Sequence, residues 1–172
     1  MKMSVNKSLI VILSMTVVIL TSCNPAKKWE KEEKQQIREY LLGLGDTVYV
    51  TKPSGLIYIN LVEGTGQYPK NYDTISIRYK GSFMSGRVFG SNLAAGDPLL
   101  TYIVGTGYLI DGPGALIEGL AEGGKYIREG GKGKFVTPSS LAYGPNGYGI
   151  ISGFTPLLWE IEIVDLRPVS GK

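Results

Sequence analysis

The segment 131–144, GKGKFVTPSSLAYG, holds the residues best placed for chemistry, and none of them is a nucleophile, a metal ligand or a phosphate cradle. Residues 132–137 alternate charge and bulk as a strand does, and Pro138 stops them. After the polar turn Ser139-Ser140, Leu141-Ala142-Tyr143-Gly144 sets two large side chains beside a glycine-rich loop. Such a segment acts through shape, apolar surface and one phenol. The 172-residue chain contains no histidine, which excludes His-based triads and His-ligated metals. Its net charge of +3 comes with no basic stripe interleaved with aromatics, so nucleic acid is not an expected partner. Neither a metal nor a cofactor is expected.

The elements that must position this segment are mostly strands. Residues 73–83 alternate Ile75, Ile77 and Tyr79 with Thr74, Ser76, Arg78 and Lys80, the pattern of a half-buried strand. Residues 157–166 repeat it, with Trp159, Ile161 and Ile163 on one face and Glu160 and Glu162 on the other. Further strands are expected at 46–51, 56–63 and 99–104, and a glycine-rich flexible loop at 105–114. Residues 117–128 carry a helical pattern diluted by Gly123-Gly124, so a helix there depends on tertiary packing. Strands around one short helix predict an α+β domain with an antiparallel sheet.

Before the domain lies a different composition. Lys2 and Lys7 precede an apolar run at 9–20, too short for a bilayer span of about 20 residues. The run reads as the core of a signal peptide, 1–22. Leu20-Thr21-Ser22-Cys23 resembles the bacterial lipobox, whose cysteine is lipidated and becomes the new N-terminus. Cys23 is the only cysteine, so no intrachain disulfide forms, and acylation would account for a lone thiol in an exported protein. An ordinary signal peptide followed by an incidental cysteine is the alternative. Residues 23–52 then read as a lipidated tether with a helix at 28–42, its Glu30-Lys31-Glu32-Glu33 run solvated and Ile37, Tyr40, Leu41 and Leu44 at helical spacing.

At Tyr79-Lys80-Gly81, Gly86-Arg87-Val88-Phe89, Leu116-Ile117-Glu118-Gly119 and Pro138 to Gly144, the chain resembles the FKBP-type peptidyl-prolyl isomerases. The resemblance covers about 53–166 of a domain read as 53–168, and the entrance looks like lipoprotein members of that family. It implies an antiparallel half-barrel of five to six strands curled around one short helix, with an N-terminal helical extension. It also implies proline-containing polypeptides as partners, a lipid anchor in a bacterial outer membrane, and help for exported proteins in folding. The family's pocket aromatics fall on Tyr79, Phe89, Tyr143 and Trp159, its aliphatic walls on Leu99, Leu116, Ile117 and Ile151. Its floor falls on Leu120, and Tyr148 takes a variable position on the flanking loop. This alignment places an insertion across 108–114. An alternative sets Leu109-Ile110 at the Leu116-Ile117 step and moves the insertion into the helix.

The resemblance implies roles as well. Tyr79, Phe89, Leu120 and Trp159 would enclose the proline ring, while the Ile117 N–H and the Tyr143 hydroxyl bond substrate carbonyls. Two residues depart from the pattern. Gly90 follows Phe89 where the family places an aspartate, and Leu120 replaces an aromatic floor. Both point to slow or selective turnover. A non-catalytic, lipid-anchored chaperone or binding module for proline-containing segments is the competing expectation.

Overall fold

The structure, a computed structural model, describes residues 25–110 and 116–169. Cys23 and its signal segment lie outside the described residues, as do residues 111–114 of the expected insertion. Helix α1 (Pro25–Gly43) leads into β1 (Val50–Thr51), β2 (Ile57–Val62), β3 (Thr74–Phe83), β4 (Val88–Ser91) and β5 (Leu100–Ile103). Helix α2 (Glu118–Gly123) and a 3-10 turn (Gly124–Tyr126) follow, then β6 (Lys132–Thr137), a second 3-10 turn (Ser139–Leu141) and β7 (Leu157–Arg167).

The strands form one antiparallel sheet ordered β1-β2-β6-β7-β3-β4, with β5 also on β3. That makes seven strands, against five or six expected. One reason is that β4 and β5 are two halves of a single interrupted partner. Ser91 pairs with Lys80 and Leu100 with Ile77, so both run along the same edge of β3 while 92–99 bulges outward. The expected strand at 46–51 contracts to Val50–Thr51, which has only β2 beside it. The last strand, β7, lies between β6 and β3 and joins the two halves of the sheet.

The alternation read in 157–166 decides which way the sheet faces. Leu157, Trp159, Ile161 and Ile163 enter the main core with Ile75, Ile77, Tyr102, Phe135 and Leu120, all at most 6% exposed. Glu160 and Glu162 face out, pairing with Lys80 and Lys134 at 3.0 and 3.2 Å and with Lys132 at 3.1 Å. Burial alone would raise the Glu160 carboxyl, but the bonds from Lys80 and Lys134 outweigh it and hold it below the ordinary range. One residue of the expected polar face in β3 is not solvated: Ser76 is buried and shares a 3.1 Å hydrogen bond with Thr101.

Helix α2 lies in the concavity of the sheet, as its weak propensity requires. A Cβ on Gly119 would stand 2.4 Å from the Thr137 methyl, and one on Gly123 would press on the Phe135 ring. The glycines that dilute the helical pattern therefore allow helix and sheet to approach closely.

Most of the first half of helix α1 is exposed, as its charges predict, and its second half packs on the domain. Ile37, Tyr40 and Leu41 pack on Ile57, Val136 and Leu158, covering one end of the sheet's outer face. Glu33 is buried as well, at 8% exposure. It stands four residues before Ile37 on the same helical stripe, so its carboxylate points at the sheet and not at solvent.

Candidate functional site

The site begins with β3 and β7. Tyr79 is opposite Ile161 and Gly81 opposite Trp159, so the two strands bring the Tyr79 and Trp159 rings together. Their centroids lie 5.9 Å apart and tilted at 47°. Phe89, from β4, meets Trp159 edge-on at 5.3 Å, and Phe83 meets Phe89 in the same manner at 5.3 Å. Edge-to-face rings at these distances attract one another beyond the area that they bury. Gly81 makes the cluster possible, because a Cβ there would sit 2.6 Å from Phe89 and 2.8 Å from Trp159.

A cleft of about 350 Å³ opens beside this cluster. Tyr79 forms one side, and Pro98, Leu99, Leu100 and Leu109 form much of the rest. Its polar lining comes from Asn92 and Asp97 in the bulge 92–99 and from Ser91 and Thr101 on the strands beside it. The buried Asn92 side chain accepts from Tyr79 N–H at 2.6 Å and donates to Ile77 C=O and Pro98 C=O, each at 3.0 Å. Its own backbone N–H donates to Tyr79 C=O at 3.2 Å. Asn92 thus supplies the rungs that the missing stretch of strand would have made.

Three hydrogen-bond donors around the cluster have no acceptor among the described residues. Ile117 caps the N-terminus of α2 with extended dihedrals, φ −59° and ψ 146°, and its N–H has no acceptor among the described residues. Tyr143 packs partly buried against the core and stacks on Tyr148 at 5.5 Å and 15°. Its hydroxyl bonds to no described residue, and neither does that of Tyr79. Burial, then the neighbouring Tyr148 and Tyr79 phenols, push the Tyr143 phenol above its ordinary value, so it stays a donor at neutral pH.

Of the residues expected at the site, Tyr79, Phe89 and Trp159 meet directly. Leu120, Ile151, Ile117 and Tyr143 pack on the same core cluster, and Leu99 lines the cleft with Tyr79. Tyr148 stands at the rim, 73% exposed, bridged to Ile151. Leu116 differs: although it touches the core, it lines a second groove on the far flank of α2, with Pro53, Gly107 and Glu122. Helix α2 begins after Ile117 and runs without interruption to Gly123. Leu109 is itself part of the cleft and pairs with Tyr102.

Gly90 and Leu120 can now be placed. A Cβ on Gly90 would point at Tyr79, 4.0 Å from its hydroxyl, so a carboxylate there would reach the phenol that is left unpartnered here. Leu120 is 3% exposed, and its carbonyl accepts a bond from Tyr102 OH at 3.3 Å. Sequence reasoning missed Asn92 and Gly81, and reached Leu109 only through the alternative alignment. Gly81 had a signal, a glycine inside a strand pattern, which marks close approach of another group. Asn92 had none beyond its place after a short strand.

An antiparallel sheet curled on a short helix, with an aromatic cluster and a cleft beside Tyr79, defines a half-barrel binding domain. Residues 65–164 match the family described as FKBP-type peptidyl-prolyl cis-trans isomerase, and the chain belongs to that family. It is 36% identical over 118 residues to the FKBP-type peptidyl-prolyl cis-trans isomerase FkpA of Escherichia coli strain K12, an overlap of 69% of this chain and 40% of that protein. The crystal structure of FkpA from Escherichia coli superposes with a TM-score of 0.66 at 28% identity, covering 98% of this chain and 76% of that one. The fold also matches a peptidyl-prolyl cis-trans isomerase from Pseudomonas syringae at a TM-score of 0.67 and 23% identity, over 86% of this chain and 99% of that one. The chain thus spans less than half the length of the FkpA protein it matches.

Proposed function

We propose that the chain is a peptidyl-prolyl cis-trans isomerase of slow or selective turnover, acting on proline-containing segments of exported proteins. The observation that carries this reading is the Tyr79–Trp159–Phe89 cluster, with the Ile117 N–H and the Tyr143 hydroxyl beside it and unpartnered among the described residues. Rotation about an X–Pro bond faces a barrier of about 18–20 kcal/mol because amide resonance must be lost. No bond breaks, so the reaction needs neither nucleophile nor cofactor. It needs a site that binds the twisted imide better than the planar one. The twisted form has less charge separation, so an aromatic, water-poor wall favours it over the planar form. On this reading Tyr79, Phe89 and Trp159 enclose the proline ring above Leu120, while Leu99 and Ile151 contribute apolar wall. Ile117 N–H holds the carbonyl of the substrate, and Tyr143 OH bonds a neighbouring carbonyl. A barrier lower by about 5 kcal/mol corresponds to a rate nearly 10⁴-fold higher.

An isomerisation assay on proline tetrapeptides with varied residues before the proline tests this directly. Acceleration of at least some peptides is expected; background rates for every peptide would sink it. The open space at Gly90 favours a second reading, a holder of proline segments without turnover. Tight binding of those peptides with no acceleration would select that reading.

The anchor is proposed from the sequence. Acylation of Cys23 would hold the domain at a bacterial outer membrane, since several acyl chains bind a membrane far more firmly than one. Replacing Cys23 with serine should then move the protein from the membrane to the soluble fraction. Undiminished membrane association would count against lipidation.

A further inference from the structure

The turn that carries Tyr143 is fastened to the N-terminal helix. Glu33, buried on α1, accepts the Ser139 backbone N–H on one carboxylate oxygen at 2.5 Å and the Ser139 hydroxyl on the other at 2.9 Å. Both residues are shielded from water, at 8% and 5% exposure. Hydrogen bonds to a buried carboxylate are about twice as strong as neutral ones. Ser139 in turn holds the segment around Tyr143. Its carbonyl accepts the N–H of Ala142 at 2.9 Å and of Gly144 at 2.8 Å, the residues on either side of Tyr143. The Tyr143 carbonyl then accepts Gly147 N–H at 3.1 Å, which draws the loop bearing Tyr148 to the same anchor.

The geometry points to Glu33 as a positioning residue for Tyr143, acting through Ser139, so that α1 is a working part of the site and not a spacer before it. This rests on the reading of Tyr143 as a substrate donor. Three features favour a positioning role over mere attachment of the helix. Attachment is already supplied by Ile37, Tyr40 and Leu41 on Ile57, Val136 and Leu158. Ser139 is the one point where α1 touches the turn leading to the pocket rim through both oxygens of a single group. The path from that group to the Tyr143 backbone consists of two hydrogen-bonded steps within six residues. Displacing a catalytic group by about 1 Å can cost 10²-fold in rate, so a turn released at Ser139 would be felt at the phenol.

Variants of the full chain decide the matter. Glu33→Ala should lower kcat/KM on a proline tetrapeptide about tenfold. Glu33→Gln keeps an acceptor oxygen for the Ser139 N–H and should recover much of that loss. In a Tyr143→Phe background, Glu33→Ala should add less than about twofold, because residues acting through one group are not additive. Equal losses in both backgrounds would overturn the proposal. An activity-independent readout is the titration of the Tyr143 phenol, followed by NMR on ring-labelled tyrosine. It lies above the ordinary value through burial and the nearby Tyr148 and Tyr79 rings, and Glu33→Ala should bring it back toward 10. An unmoved titration would equally overturn the role of Glu33. If the wild-type chain accelerates no peptide, the proposed function fails, and the titration alone still decides whether Glu33 positions Tyr143.

Discussion

Asn92 Oδ1 accepts the Tyr79 backbone N–H at 2.6 Å, and the Asn92 amide donates to the Ile77 carbonyl one rung away. A side chain therefore completes the ladder of β3 where β4 ends and β5 has not begun. Alanine at 92 would leave the Tyr79 N–H, the Ile77 carbonyl and the Pro98 carbonyl without these partners. The expected loss is about 2–4 kcal/mol, read as melting about 5–15 °C lower. A melting point within about 2 °C of wild type would show that water replaces the amide at little cost.

Gly90→Asp tests the departure beside Phe89. The new side chain would start 4.0 Å from the Tyr79 hydroxyl and has room to reach it. Since Gly90 carries none of the left-handed backbone angles found at other glycines, a side chain is tolerated there. Turnover should rise about tenfold, the lower end of what one hydrogen bond to a charged group is worth, about 1.5 kcal/mol. Unchanged or lower kcat/KM would clear Gly90 of the proposed effect on turnover.

Gly81→Ala should act in the opposite direction. Its methyl would overlap both Phe89 and Trp159, so the rings must separate or the strand must shift. Overpacking of this kind costs about 1–3 kcal/mol. Quenching and wavelength of Trp159 fluorescence would report the separation, and kcat/KM should fall with it.

Tyr143→Phe removes one neutral hydrogen bond to the substrate while keeping the stack on Tyr148. Loss of a bond worth about 0.5–1.5 kcal/mol lowers kcat/KM about two- to tenfold. Full activity in this variant would place the substrate carbonyl elsewhere.

The dependence on pH follows from the absence of histidine and from the buried phenols. Burial, and after it the bond to Glu122 at 2.8 Å, push the Tyr126 phenol up to about 12, and burial raises Tyr102 further. Phenols in the unfolded chain titrate near 10, so the folded state holds these protons more tightly. Their contribution to stability is whole below about pH 10 and is lost as pH rises from there through 12. Unfolding monitored against pH should therefore steepen above pH 10. Between about pH 6 and 9 the isomerisation rate should be flat, and a bell-shaped profile there would contradict a mechanism without acid–base catalysis.

The fold was largely legible because β3 and β7 alternate cleanly and because four short motifs fall in order along the chain. Tyr79, Phe89 and Trp159 came together as expected, since strand register fixes which side chains face inward. What escaped depended on contacts distant in sequence. Glu33 reads as one of five consecutive charged residues until the stripe it shares with Ile37, Tyr40 and Leu41 is matched to the sheet end that they cover. Asn92 looks like ordinary loop chemistry, because nothing local shows that β4 and β5 will leave a gap on β3. Leu116 was placed one side of α2 too far over, since chain order alone does not say which flank a residue before a helix will face.

The seam formed by β7 also sets an order in time. Trp159 reaches the site only when the last strand has slotted between β6 and β3, pairing with Gly81 on one side and Phe135 on the other. A nascent chain halted before Leu157 has every other aromatic of the cluster but no wall to hold them, and its two half-sheets have nothing to join them. Pairing between segments so far apart along the chain is slow to form. The aromatic cluster is thus complete only once β7 has closed the sheet between β6 and β3.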